Sequence, residues 1–302
     1  MAMRTLAERL QAVLSTIVAT MDDLLDASTI DYVPDRMQQV AERTGVVHLS
    51  ICDGRWGALD DVQRGIQRQL LELWTPWFEQ IRFLFSEDTV VRQNEITNAG
   101  GRVAEWIQRT GGFQHIPPTM SEAKTIFRDM AEPLFAALRS LGTSSGQVLV
   151  VPDTNVLIRS QDITTYGAVL GESAYRVLLV PGVLGELDAH KINHKVPAVR
   201  ERARKACDRI KGWRNQGDLA KGVRVQGDVW AQVEGREPDF AKTLSWLRSD
   251  VIDDQIMATI LEVQRRRPTD RVILLTGDVL MLAKADAASV PTADTPDPDP
   301  EA

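Results

Sequence analysis

Val148-Leu-Val-Val-Pro152-Asp153-Thr154-Asn155 is the stretch whose reading decides the fold. Four consecutive aliphatic residues, three of them β-branched, end in a proline and then an aspartate. A continuous apolar run bounded by a turn fits a strand buried on both faces, as in a parallel sheet. Two more runs have the same texture, Arg176-Val-Leu-Leu-Val-Pro181 and Arg271-Val-Ile-Leu-Leu-Thr276, and a weaker one covers 223–225. Helical periodicity lies between them, over about 164–171, 183–190, 196–213 and 252–266. Strands alternating with helices predict an α/β fold, a central parallel sheet flanked by helices.

In such a sheet, ligands bind outside the carboxyl ends of the strands. Asp153-Thr-Asn155 follows the first strand, and Glu186-Leu-Asp188 lies just beyond the second. Gly277-Asp278 follows the third, and Asp253-Asp254 opens the helix that leads into it. Taken singly, each acid has a structural explanation: a turn cap, an N-cap, or a first-turn residue favoured by the helix dipole. Gathered on one rim, they repel unless a cation sits among them. Oxygen-only ligation suits a hard divalent ion, Mg²⁺ or Mn²⁺; zinc would want His or Cys, which this rim lacks. An aspartyl-phosphate enzyme would need a second acid where Asn155 stands.

The segments Leu149-Val-Val-Pro-Asp153-Thr-Asn155-Val-Leu157, Val180-Pro-Gly-Val-Leu-Gly-Glu186-Leu-Asp188, Asp253-Asp-Gln-Ile256 and Leu274-Leu-Thr-Gly-Asp278 together resemble the four signature segments of PIN domains, in the family's order. The resemblance covers about half the chain, 146–292, and its wording is closer to the larger PIN domains of RNA-processing enzymes than to minimal toxins. It implies that Asp153, Glu186, Asp253 and Asp278 are the catalytic, metal-holding quartet. It also implies that Asn155, or Thr154 beside it, supports Asp153. Asp254 competes with Asp253 for the ligand position, and Asp188 and Thr276 stand among the supporting residues. The activity implied is endoribonucleolytic hydrolysis of RNA by a Mg²⁺- or Mn²⁺-activated water, leaving a 5′-phosphate. A catalytically silent RNA-binding scaffold and a structure-specific DNA nuclease are the competing readings. A long insertion separates Glu186 from Asp253, and its part 227–249 has no place in the family pattern.

An acidic site must still attract a polyanion. Residues 190–214 hold nine Lys or Arg against two acids. Lys191, Lys195, Arg200, Arg204 and Lys205 are therefore the candidate RNA contacts, although a charged helix face is more often simply solvated. Trp213 reads as core, with base stacking as the alternative. His190 and His194 are four apart, can share a helix face, and read as surface or substrate-side residues, with metal ligation the lesser alternative.

The first half, 1–145, has a different texture. Apolar residues repeat at helical spacing over 3–27, 33–44, 59–85 and 120–141, and a short helix is expected at 102–109 between glycine pairs. Pro76 should kink its helix or split it in two, and Pro133 should kink the helix that holds it. Only 46–51 alternates like a strand. This predicts a mostly α-helical domain, joined through Gly142-Thr-Ser-Ser-Gly146; a sensor, an inhibitor, or a surface for a protein partner or homo-oligomer are the roles open to it. Residues 293–302 are acidic and proline-rich and are expected to lack structure.

The chain has 302 residues, 43% of them hydrophobic, and a net charge of −7, which argues against nucleic-acid binding through global charge and says nothing about a local basic patch. Two distant cysteines form neither a disulfide framework nor a zinc motif and suggest a reducing cytoplasm. The start of the chain does not read as a signal peptide, and no apolar run reaches the length of a membrane span.

Overall fold

A computed structural model describes residues 5–32, 54–110, 116–142 and 146–298. The expected helix at 33–44 and the alternating stretch at 46–51 lie outside these. The chain separates into two compact units, one Glu8–Leu141 and the other Gly142–Ala302 together with Met1–Ala7.

The first unit is helical: α1 (Leu6–Asp26), α2 (Asp61–Leu84), α3 (Val90–Gln108) and α4 (Met120–Ser140), with a short antiparallel pair, β1 (Ile30–Tyr32) and β2 (Gly54–Trp56). Leu10, Leu14, Ile17, Met21 and Leu24 form the buried stripe of α1 at its expected spacing. Pro76 does not split α2, which runs unbroken from a capping box at Asp60 and Gln63; α4 likewise continues through Pro133. Each proline removes one backbone bond, and the burial of Trp74 and Trp77 about Pro76, and of Ala131 and Leu134 about Pro133, holds the helix together. The glycine pair does not bound a short helix either, since α3 passes through Gly100 and Gly101. Arg109 ends α3 in the left-handed region, and its guanidinium lies over Trp56, 4.8 Å from the ring centre.

Gly100 is there for packing. A β-carbon on it would come within 2.1 Å of the Phe78 ring, which stacks on Trp74 at 5.1 Å. Gly101 meets nothing within 4 Å.

The second unit is a six-stranded sheet in the order β5-β6-β4-β3-β7-β8. Its strands are β3 (Val148–Pro152), β4 (Ala174–Leu179), β5 (Val223–Gln226), β6 (Asp228–Val233), β7 (Arg271–Leu275) and β8 (Thr292–Ala293). All neighbours are parallel except the edge pair β5–β6. The expected parallel sheet is therefore present with one antiparallel edge strand. β3 is buried along its whole length, as its unbroken apolar run requires. The helices are α5 (Thr154–Arg159), α6 (Gly167–Leu170, after a 3₁₀ turn), α7 (Pro181–Asn193), α8 (Pro197–Gln216), α9 (Ile252–Arg266) and α10 (Val279–Ala287). β6 occupies the first part of the insertion, where Val229 and Ala231 point inward.

The C-terminal segment is held in place further than expected. Thr292 pairs with Leu274 in β8, Pro296 is buried, and the Ser160 hydroxyl donates to the carbonyls of Pro296 (3.2 Å) and Asp297 (2.9 Å). Among the described residues no helix is long and apolar enough to cross a membrane.

The two neighbouring glycines of α3 should respond in opposite directions to alanine. Gly101→Ala should stabilise the protein by about 0.5–1 kcal/mol, the ordinary helix-propensity gain. Gly100→Ala should destabilise it by about 1–3 kcal/mol, because overpacking against Phe78 outweighs that gain. Urea midpoints of the two variants check both signs.

Candidate active site

The register of β3 on β7 builds the centre of the site. Pro152 pairs with Leu275, and the Asp153 amide donates to the Leu275 carbonyl (2.9 Å), so Asp153 and Thr276 leave the sheet side by side. The Thr276 hydroxyl donates to Asp153 Oδ2, and the Val156 amide donates to Oδ1 (2.7 Å), which makes Asp153 the N-cap of α5. The Asp278 amide donates to the Thr276 oxygen (3.1 Å). Asp278 is itself exposed and caps α10 by accepting from the Met281 amide (2.9 Å). Both aspartates are thus caps, and the capping bonds fix their orientation.

Asp153 is only 6% exposed. Burial is the main cause that pushes its pKa above the ordinary carboxylate value; the bonds from Thr276 and Val156 oppose the rise, and the charges of Glu186 and Asp278 add to it. Those couplings tie three of the four expected acids to one rim.

Glu186 arrives from α7. A β-carbon on Gly182 would sit 3.0 Å from Ile256, so the absence of a side chain lets the first turn of α7 close on α9. The Thr154 hydroxyl then donates to Glu186 Oε2 (2.5 Å), and His190 Nε2 lies 3.6 Å from Oε1. Thr154 thus steadies Glu186, and Thr276 steadies Asp153. Asn155 is exposed, with no hydrogen bond to Asp153 among the described residues.

The fourth acid comes with a cation that sequence reasoning missed. Lys284 of α10 lies 2.7 Å from Asp254 Oδ1 and 3.2 Å from Asp253 Oδ2. Burial alone would lower the Lys284 pKa, but its bonds to Asp254 and Asp253 outweigh that and raise it, so the amine stays charged. Asp254 is buried and also accepts the Arg248 amide (3.1 Å), which anchors the preceding loop. Asp253 is the more open of the two. Lys284 comes six residues after Asp278, a spacing with no motif attached to it in the linear sequence.

Other candidates stand apart. Asp188 bonds Lys191 and Cys207, an α7–α8 contact, and the Lys191 bond is the first cause lowering its pKa. Arg204 pairs with Glu201, and Arg200 donates to the His194 carbonyl (2.6 Å). Lys195 and Lys205 are exposed. Trp213 is buried.

The carboxylate and hydroxyl oxygens of the rim fit a hard divalent cation; the sequence places no histidine there, but His190 Nε2 stands beside Glu186. Among the described residues no three acids, histidines or cysteines already converge as a closed metal cage. Lys284, Thr154 and Thr276 instead hold the carboxylates.

No curated protein matches the chain. Residues 150–296 match the family model for the PIN domain. That span starts within β3, takes in all four acids, and ends at buried Pro296, four residues beyond the boundary expected from the sequence. The mostly parallel sheet flanked by helices agrees with the match, and the C-terminal half of this chain is a PIN domain, a family whose members are generally nucleases that use divalent metals.

Proposed function

We propose that this protein is a metal-dependent endoribonuclease that hydrolyses RNA phosphodiester bonds with an activated water. The observation that carries the reading is the buried Asp153 carboxylate, its pKa raised by burial and by the neighbouring charges of Glu186 and Asp278. A site that keeps such a carboxylate, and steadies it with a threonine bond, is built for a positive charge. Asp153, Glu186 and Asp278 would hold Mg²⁺ or Mn²⁺, with Asp253 beside Lys284 completing the rim. When bound, the ion polarises a phosphoryl oxygen and lowers the pKa of a water.

The chain's own groups do the rest. Thr276 and Val156 fix the two oxygens of Asp153. Thr154 fixes one oxygen of Glu186 and leaves the other toward His190, where it can accept the proton of the attacking water. Lys284 offsets two of the five carboxylates, so a phosphate does not meet their full repulsion. Lys195 and Lys205 are available for the RNA backbone, whereas Lys191 and Arg204 are held by Asp188 and Glu201. RNA as substrate follows what is common among PIN domains. A protein partner or a second copy of the chain on the helical half remains part of the proposal.

End-labelled single-stranded RNA should be cut in Mn²⁺ or Mg²⁺, not in EDTA, leaving 5′-phosphate ends. Asp153→Asn should lower the rate at least about 100-fold, in the range set by losing a charged group at a metal centre. Equal cutting by the variant, or 2′,3′-cyclic phosphate products, would sink the reading. Thr276→Val should retain the fold and lose about 10–100-fold in activity through misplacement of Asp153, while Thr276→Ser keeps most of it. Matched rates for Val and Ser would show that the hydroxyl has no such role.

A further inference from the structure

Of the seven tryptophans, Trp246 alone is exposed, at 40%. It sits in the loop between β6 and α9. That loop leaves the carboxyl end of β6, and the Glu234 amide donates to the Leu179 carbonyl of β4 (2.9 Å). Its other end is fastened to the acids: the Arg248 amide donates to Asp254 Oδ2 (3.1 Å), and Gln255 donates to the Ser249 carbonyl (2.8 Å). Leu244 and Leu247 are buried at 3% and 7%, so the segment is pinned on both sides of Trp246 while the largest apolar ring in it faces out.

We infer that Trp246 is a stacking platform for an unpaired nucleobase of a single-stranded nucleic acid, beside the acidic rim. The inference rests on the nuclease reading and names how that site takes its substrate. Trp246 is two residues from Arg248, whose amide bonds Asp254, so its backbone is held within about 7 Å of chain from that bond. Apolar residues next in sequence to the acids are exposed as well. Ile252, just before Asp253, is 40% exposed, and Val279 and Leu280, just after Asp278, are 80% and 58% exposed. Charge is a poor handle for a polyanion here, because the chain is net negative and the nearby lysine, Lys284, is engaged by two aspartates. A flat aromatic face on a fixed loop binds any base through its π-face without needing charge. A duplex cannot use it, since its bases are already stacked on each other.

The test is binding by full-length protein carrying Asp153→Asn, read as fluorescence anisotropy with a labelled single-stranded RNA and with a blunt RNA duplex of the same sequence. Trp246→Ala should weaken single-strand binding about ten-fold, Trp246→Phe should keep most of it, and duplex binding should not change. In the cleaving protein, Trp246→Ala should raise KM more than it lowers kcat. Unchanged single-strand affinity in Trp246→Ala, an equal loss for the duplex, or Phe behaving like Ala overturns the inference; so does an Asp153→Asn parent that binds no single strand. Failure of the nuclease reading looks different: Asp153→Asn alone would leave cleavage intact.

Discussion

Repulsion among carboxylates is the constraint around which the α/β unit is organised. Asp153, Glu186, Asp253, Asp254 and Asp278 come from four chain segments, and each like-charged pair a few ångströms apart costs on the order of 1–4 kcal/mol. The fold offsets part of this with Lys284, which takes up Asp253 and Asp254. Asp153 keeps the remainder as a raised pKa. Its ionised form is therefore disfavoured in the folded protein without metal. That penalty is absent below the unfolded-state pKa, grows as pH rises toward the folded value, and is fully present above it. A cation that binds the ionised acids relieves it, which couples metal binding to the stability of the sheet end.

Backbone geometry delivers the acids to that place. The parallel β3–β7 register sets Asp153 beside Thr276, and the two capped helices α5 and α10 point their first turns at the same region. Gly182 lets α7 approach α9 closely enough for Glu186 to join them. The threonines do work that polar residue type alone does not reveal. Thr154 serves the glutamate rather than the aspartate next to it, and Thr276, from the far end of the chain, serves Asp153.

Much of this was legible in the sequence where burial is two-sided. The runs at 148, 176 and 271 fit strands buried inside a sheet, and the acids that follow them then fall on its rim. Asp-Asp before Gln255 and Ile256 could not be divided into ligand and support from spacing alone. The structure gives the two different surroundings: Asp254 is buried and accepts the Arg248 amide, while Asp253 is the more open. Lys284 was silent for the same reason: a lone lysine on a helix reads as solvated until α10 is placed against α9. β6 was missed because its alternation, with Val229 and Ala231 inward, is short and follows a glycine turn. In the helical half, Gly100-Gly101 reads as punctuation, yet Gly100 is there because Phe78 occupies the space of a β-carbon. Only long-range packing distinguishes the two.

The central claim is that the rim is a cation site centred on Asp153, and calorimetric titration of the metal-free full-length protein with Mn²⁺ tests it most directly. The comparison is between the parent chain, Asp153→Asn, and Asp188→Asn, whose carboxylate bonds Lys191 and Cys207 instead of the rim. The expected result is saturable binding by the parent, weakened at least about ten-fold by Asp153→Asn and unchanged by Asp188→Asn. No binding by the parent, or equal affinity in Asp153→Asn, would contradict it.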